Sequence, residues 1–362
     1  MTHDTHSGDD GARATSVRGD ARLRHAGRLA ALAGLAIAVW LIWREHPLDV
    51  LRRLEAAGAG LLVVALAHIL PMLANAWDWR MLIRCRRRPS FATMLKIVWI
   101  RESINGLLPV ARIGGEIVSF SLLRQAGVRP ATAVASLVAD MQLTLISQLV
   151  FALVAIGYVL ERVSSDAARV AAQLAIGMAA LVPVLLLFAL VQHARPFERA
   201  MRALNRITSG KVYALVGESA RTDQSIRMIW RKTGIVVRYL GIWQTLQFAG
   251  YALEIWLALR FLGTDATFAQ ALAIEALIQL LSSIAFLMPG GLGVQEGGFV
   301  LIGGLLGFDA PTCLALAGAR RVRDLLFYLP GLLAWQHAVG AARPPGGAKP
   351  ASMRIGESAG RR

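Results

Sequence analysis

Apolar residues in this chain run together in long blocks. Stretches of about 18 residues or more recur, the length needed to cross the hydrocarbon core of a bilayer. They fall at about 26–43, 58–78, 131–160, 169–192, 235–262 and 311–340. Two further apolar runs are interrupted. One breaks at Pro109 and continues as Val110-Ala111-Arg112-Ile113-Gly114-Gly115-Glu116. The other, about 268–288, breaks at Pro289-Gly290-Gly291-Leu292-Gly293 just ahead of Glu296. A bilayer tolerates irregular backbone only where protein or a water-filled cavity satisfies the freed N–H and C=O groups. The pattern therefore predicts an all-α, polytopic integral membrane protein. Its eight hydrophobic segments are six spanning helices plus two re-entrant helical hairpins.

Charge changes this picture by giving it a direction. The 362 residues are 56% hydrophobic and only 17% charged, with a formal charge of +16. In a soluble protein such a charge would suggest nucleic acid. Here the basic residues lie between apolar runs, where they set orientation, and no nucleic-acid partner is expected. Arg80, Arg84, Arg86, Arg87, Arg88 and Lys96 follow the second run with no acid among them, and the 193–234 loop is also basic. The turns at 263–267 and 307–310 carry no basic residue. The positive-inside rule then puts both termini in the cytoplasm, with polar, disordered tails at 1–25 and 341–362 around a membrane domain at 26–340. Within the basic loop, Phe197, Met201, Leu204 and Ile207 share a helix face among arginines, which suits either an anionic membrane surface or a solvated connector. The short 44–57 segment reads as a loop.

A repeat connects the two interrupted segments. Shifting the chain by 180 positions (289 minus 109) aligns Ser103 with Ser283, Ile104 with Ile284, Leu107 with Leu287, Pro109 with Pro289, Glu116 with Glu296 and Gly127 with Gly307. The repeat signatures run over 97–140 and 277–324. The charge-based topology makes the first hairpin open to the cytoplasm and the second to the opposite side, so the repeats are expected to be inverted. Inverted repeats with paired broken helices are the layout of many secondary transporters, with the substrate near the midplane.

Several helices carry polar residues at i, i+3/i+4 spacing, hence on one face. These are Asp140, Thr144, Ser147 and Gln148; Gln244, Gln247, Tyr251 and Glu254; and Glu275, Gln279, Ser282 and Ser283. The last helix adds Arg320, Arg321, Arg323 and Asp324. For the Ser, Thr and Gln positions, hydrogen-bonded helix seams are the expected use. A charge at membrane depth is costly unless paired or facing water, so the charged positions point to a functional cavity. The candidate substrate-binding set is Arg112, Glu116, Asp140, Glu296, Arg321 and Asp324. The candidate gating set is Pro109, Gly114, Gly115, Pro289, Gly290, Gly291 and Gly293. Gly303 and Gly307 have the spacing of a close helix-packing pair. Arg238 and Arg260 lie near helix ends and are expected to snorkel.

Enzyme motifs are not apparent. Gly217-Glu218-Ser219-Ala220 begins like a nucleophile elbow, but Arg221 stands where glycine is needed. There is no Gly-Lys-Ser/Thr phosphate loop, no His-Glu-x-x-His and no zinc-ligand cluster. Cys85 and Cys313 imply no disulfide framework, and no cofactor is expected.

The segments Leu107-Leu108-Pro109-Val110-Ala111-Arg112-Ile113-Gly114-Gly115-Glu116 and Met288-Pro289-Gly290-Gly291-Leu292-Gly293-Val294-Gln295-Glu296 resemble the two signature segments of the lysylphosphatidylglycerol synthase transmembrane, or flippase-like, superfamily. Asp140 follows the first, and Arg320-Arg321-Val322-Arg323-Asp324 follows the second, in the same order. The first segment, with Leu122-Leu123-Arg124 and Ala135 through Asp140, is most similar to the hopanoid-biosynthesis-associated branch. The resemblance implies a multi-pass protein of the bacterial inner membrane that handles lipids, hopanoids or phospholipids, without catalytic chemistry. The aminoacyl-transferase activity of full-length synthases belongs to a soluble domain that follows their membrane part, and it is not expected of this membrane segment. The rival readings are a scaffold for lipid-biosynthesis enzymes, a phospholipid or aminoacyl-lipid flippase, and a membrane-embedded lipid enzyme.

Overall fold

Several helix boundaries can be traced to a local residue choice. The computed structural model describes residues 47–108, 114–162, 213–284 and 293–341. Among these, all regular structure is helical. Helix α1 spans Pro47–Ala57. Helices α2 (Gly60–Ala67) and α3 (Ile69–Leu82) form one rod broken at His68. Pro71 explains the break, because it lacks an N–H and its ring crowds the carbonyl four residues back. Ser90 accepts the Thr93 N–H at 3.1 Å and starts α4 (Phe91–Leu107). Helix α5 is Gly114–Gln125, and α6 is Pro130–Leu160, opened by its own proline. Helix α7 (Tyr213–Trp230) precedes α8 (Thr233–Arg238). A π-helical segment, Tyr239–Gln244, leads into α9 (Thr245–Phe261). Then follow α10 (Phe268–Ile284), α11 (Val294–Leu305) and α12 (Ala310–Ala341).

The predicted repeat is visible in these boundaries. Adding 180 to α5 gives 294–305, the bounds of α11, and adding it to the start of α6 gives the start of α12. The turns match as well. Gly127 has φ +83° and Gly307 φ +90°. Val128 N–H bonds the Leu123 carbonyl at 3.0 Å, as Phe308 N–H bonds that of Gly303 at 2.9 Å. This is the same glycine-terminated helix end in both halves. Repeat 1 is therefore α2–α6 and repeat 2 is the π segment with α9–α12. They pack reciprocally: α4 lies chiefly on α12, and its counterpart α10 lies on α6.

Relative direction follows from residue pairs between the equivalent rods. Gly60 abuts Phe261, Gly250 abuts Pro71, and Asp78 bonds Gln244 at 2.9 Å. Numbers rise along one rod as they fall along the other, so equivalent helices run antiparallel and the repeats are inverted. In each hairpin the second arm starts beside the end of the first. Gly115 touches Asn105 and the Arg101 carbonyl, and Gly298 touches Leu281 and Ile278. The second arms have 12 residues. At about 1.5 Å per residue they cannot cross a hydrocarbon core.

Among the described residues, two rods are long and apolar enough to cross a membrane, Gly60–Leu82 and Pro130–Leu160, and only 28% of the best window of the second is buried. Leu62, Leu66, Val150, Leu153, Val154, Leu325 and Leu329 are exposed. An apolar surface of this extent fits lipid rather than water. The chain is a multi-pass membrane protein.

Three expectations change. The 44–57 loop contains α1, whose Val50 and Ala57 join the core. The 193–234 loop contains α7, which packs on α6 through buried Ile226 and Ile229. Gly303 does pack closely, with a Cβ there reaching 2.4 Å from Cys313 Sγ, but Gly307 meets nothing and serves the turn instead. The expected segments 26–43 and 169–192, the amphipathic stretch at Phe197–Ile207 and both tails lie outside the described residues.

Candidate functional site

The polar faces of α4, α6, α9, α10 and α12 converge on a cavity of about 330 Å³. Asp140, Thr144, Gln148, Gln244, Gln247, Tyr251, Gln279, Arg320 and Arg323 line it, together with Asn75, Arg101, Glu102, Glu116 and Tyr328. The π segment contributes through its register. Its extra residue per turn turns both Tyr239 and Gln244 inward, where Gln244 Nε2 lies 3.3 Å from the Tyr239 hydroxyl.

Arg101 organises repeat 1. Its guanidinium donates to Asp140 Oδ2 at 2.8 Å and to Asn75 Oδ1 at 2.9 Å, and lies 3.9 Å from Glu116. Beneath it is the Trp79 ring, 4.5 Å from Arg101 Cζ. Tyr239 donates to the other Asp140 oxygen at 2.7 Å. Asn75 passes its amide on to Glu102 at 3.2 Å.

Repeat 2 reverses the polarity at one equivalent position. Position 140 plus 180 is 320, so Asp140 is matched by Arg320. Arg320 donates to Glu275 on α10 at 2.8 Å, and Gln279 donates to the same carboxylate at 2.8 Å. Arg321 meets Glu296 at 2.9 Å and Asp324 at 3.8 Å. The other Glu296 oxygen accepts the Gly293 N–H at 2.7 Å and holds the start of α11, where Gly293 has φ +76°.

His68 joins the two repeats. It is fully buried at the α2–α3 break. Nδ1 is 2.8 Å from Glu254 Oε1 and also meets Arg323 Nη1. Nε2 lies 3.3 Å from Glu102 and 3.3 Å from the Tyr328 hydroxyl. Arg323 pairs with Glu254 at 2.9 Å and Asp324 at 3.0 Å. Among the described residues, four arginines (101, 320, 321, 323) thus share this interior with eight carboxylates (78, 102, 116, 140, 254, 275, 296, 324). Four atoms on cavity-lining residues, Glu102 Oε2, Glu116 Oε2, Gln244 Oε1 and Arg323 Nε, are buried without a hydrogen bond among the described residues.

On the far side of the α3–α9 contact lies an apolar groove of about 600 Å³, walled by Leu70, Leu73, Trp77, Phe91, Trp243, Leu246, Leu253 and Phe268. Ala74 faces this groove while Asn75 faces the cavity. On α9, Ala249 and Gly250 face the groove and Gln247, Phe248 and Tyr251 the cavity. The partition is thin because Gly250 lets α9 touch Pro71. A Cβ on Gly250 would lie 2.7 Å from Pro71 Cδ.

Of the expected binding residues, Glu116 and Asp140 gather at Arg101, while Glu296, Arg321 and Asp324 form the second group. Neither Glu296 nor Arg321 is among the cavity-lining residues. Arg321 is held by the carboxylates of Glu296 and Asp324. Arg112, Pro109, Pro289, Gly290 and Gly291 lie outside the described residues. Gly114 opens α5, while Gly115 is a packing contact that donates its N–H to Asn105 at 2.9 Å. The seams expected of Ser and Gln are present: Ser283 donates to Gln148 at 2.9 Å and Gln295 to Ser282 at 3.1 Å. Arg238 is exposed, and Arg260, exposed too, pairs with Asp265 at 3.6 Å.

The residues that sequence reasoning missed are His68, Asn75, Asp78, Arg101, Glu102, Tyr239 and Tyr328. A signal existed for three of them: Asn75, Asp78 and His68 lie in an apolar run at spacings of 3 and 7, which is one helix face.

A family model described as the lysylphosphatidylglycerol synthase TM region matches residues 29–331. No curated protein and no solved structure matches the chain.

Proposed function

Because the chain belongs to the lysylphosphatidylglycerol synthase transmembrane family, we propose that it moves a membrane lipid between leaflets and carries out no covalent chemistry. One observation carries this reading: a polar cavity and an apolar groove stand back to back across a single helix contact, α3 on α9. An amphipathic molecule has the same two halves. A head group in the cavity meets carboxylates, guanidiniums and amides, and an apolar chain or ring system in the groove meets leucine and aromatic walls. The antiparallel repeats supply two related hairpins from which opening toward either side can be built. The site of action is the bacterial inner membrane with both termini in the cytoplasm. The cargo is a hopanoid or a related polycyclic lipid, a choice that rests on the resemblance of the first signature segment.

The test uses the purified full-length chain in liposomes with hopanoid and phospholipid labelled separately. Leaflet exchange of at least one of them above the protein-free rate is expected. Glu296→Gln should abolish exchange while the protein still inserts, since the amide oxygen still accepts the Gly293 N–H but the Arg321 ion pair is lost. Normal exchange in that variant would remove Glu296 from the mechanism, and no exchange of either lipid by the unmodified chain would overturn the proposal.

A further inference from the structure

His68 is built unlike a histidine that merely fills space. It sits with no exposed surface where Pro71 breaks the α2–α3 rod, and every element packed on it presents a charged or titratable group. Helix α4 presents Glu102, α9 presents Glu254 and Tyr251, and α12 presents Arg323 and Tyr328. Its two ring nitrogens make the same demand. Glu254 Oε1 lies 2.8 Å from Nδ1 and Glu102 Oε2 3.3 Å from Nε2, so both positions call for an N–H. A neutral ring has one N–H, and only the imidazolium satisfies both.

Charge balance points the same way. Among the described residues, eight carboxylates surround four arginines in this interior, and uncompensated charge at membrane depth is expensive. The Glu102 oxygen beside Nε2, 3.3 Å away, is buried and accepts no hydrogen bond among the described residues. The arginine–carboxylate pairs Arg101–Asp140, Arg320–Glu275, Arg321–Glu296 and Arg323–Glu254 each lie within one repeat, whereas His68–Glu254 crosses from one to the other. A proton gained or lost here changes the bonding between the halves.

We propose that His68, clamped between Glu254 and Glu102, is a proton-binding site that couples proton movement to the conformational exchange of the two repeats. This rests on the lipid-translocase reading only for what the proton drives. With Nδ1 unprotonated, its lone pair faces Glu254 Oε1 and Arg323 alone holds that carboxylate. When Nδ1 takes a proton from water entering by the cavity, its N–H donates to Glu254. The His68–Glu254 ion pair then ties repeat 1 to repeat 2. Because Arg323, Glu102 and Tyr328 also line the cavity, the switch changes what a bound head group meets. The proton is released unchanged when the opposite side opens.

Two measurements on the full-length chain test this. The first is ring-nitrogen NMR of ¹⁵N-histidine-labelled protein in nanodiscs, with the His68 signals identified by difference from His68→Asn. One ring nitrogen is expected to pass from the unprotonated to the protonated shift between pH 9 and pH 5, and to do so at lower pH in Glu254→Gln. Ring shifts constant over that range overturn the proposal whether or not any lipid moves. The second measures leaflet exchange in liposomes carrying a pH gradient. One proton per lipid shifts the steady-state leaflet ratio by about tenfold per pH unit. His68→Gln and Glu254→Gln should lose that dependence. Exchange by the unmodified chain that ignores the gradient overturns coupling and leaves translocation standing. A titrating His68 without exchange of either lipid supports the proton site and sinks the translocase reading.

Discussion

Replacing Arg101 with methionine tests the buried network most directly. Methionine keeps an unbranched apolar side chain over the Trp79 ring but removes the charge. The structure then sets the magnitude. Asp140 loses a 2.8 Å ion pair and keeps the Tyr239 hydroxyl at 2.7 Å. Asn75 loses the donor at 2.9 Å, and Glu116 loses the cation at 3.9 Å. Stranding one partner of a buried pair costs about 3–5 kcal/mol. The surviving Tyr239 bond puts Arg101→Met near the lower end, about 3 kcal/mol. Asp140→Asn costs a similar amount by the opposite route. The amide oxygen of that variant can still accept from Tyr239, while Arg101 keeps Asn75 and the more distant Glu116. The double variant strands only Glu116, whose cation lay 3.9 Å away. It loses mainly two hydrogen bonds, about 1 kcal/mol each. The cycle should therefore show a coupling energy of about 4 kcal/mol, within the span measured for close charge pairs. The assay is equilibrium unfolding in mixed dodecylmaltoside–SDS micelles, followed by tryptophan fluorescence. Additive singles, or a double variant worse than either single, would refute the idea that this pair is a self-contained charge-neutral unit.

Glycines supply the other predictions. Gly250→Ala places a Cβ 2.7 Å from Pro71 Cδ and 2.9 Å from its nitrogen, so α9 must move off α3. A loss of about 1–3 kcal/mol is expected in the same assay, and an unchanged unfolding midpoint would show that the two helices are not held at this distance. Gly304 and Gly307 both face open space, but Gly304 is helical and Gly307 has φ +90°. Gly304→Ala should stabilise by about 0.5–1 kcal/mol and Gly307→Ala destabilise by about 1–2 kcal/mol, and equal effects would refute the backbone argument.

Much of this architecture is legible in the sequence because a membrane makes the chain obey a strict solvent rule. The apolar pattern places the bounds of α6, the turn at 263–267 and the last helix within a residue or two, and the 180-residue repeat requires α5 and α11 to share their boundaries. The carboxylates Glu116, Asp140 and Glu296 stand out because charge is rare in apolar runs. Arg101 and Glu102 escape because they sit where the first interrupted run turns polar, and such a place reads as a helix end. The structure instead carries α4 on to Leu107 and buries Arg101 against α3 and α6. His68 escapes for another reason. A lone histidine in an apolar run has no charged partner close in sequence, and its bonding groups are 34, 186 and 255 positions away, at Glu102, Glu254 and Arg323. The break at which it sits comes from Pro71, which the pattern absorbs as a spanning residue.

The placement of bonds within and between the repeats bears on how such a molecule can change shape at all. Moving one half against the other must break whatever crosses between them. The arginine–carboxylate pairs do not cross: Arg101 serves carboxylates of repeat 1, and Arg320, Arg321 and Arg323 serve those of repeat 2. Apart from His68, whose contacts with Glu254 and Arg323 do cross, what crosses is weaker. Tyr239 to Asp140 and Thr144, Gln244 to Asp78, Ser283 to Gln148 and Trp99 to the Phe327 carbonyl are hydrogen bonds with at least one neutral partner. Each contributes about 1–3 kcal/mol net and can be exchanged for a bond to water or to a bound head group. Separating a buried arginine from its carboxylate would cost more than any one of these. Each half can therefore move as a charge-paired body along a seam of replaceable bonds. Small residues such as Gly250, Gly106 and Gly331 bring the backbones close along it. The reversed polarity of Asp140 and Arg320 makes the two halves pack as complementary rather than identical surfaces, so the states reached by moving one or the other need not be equal in energy.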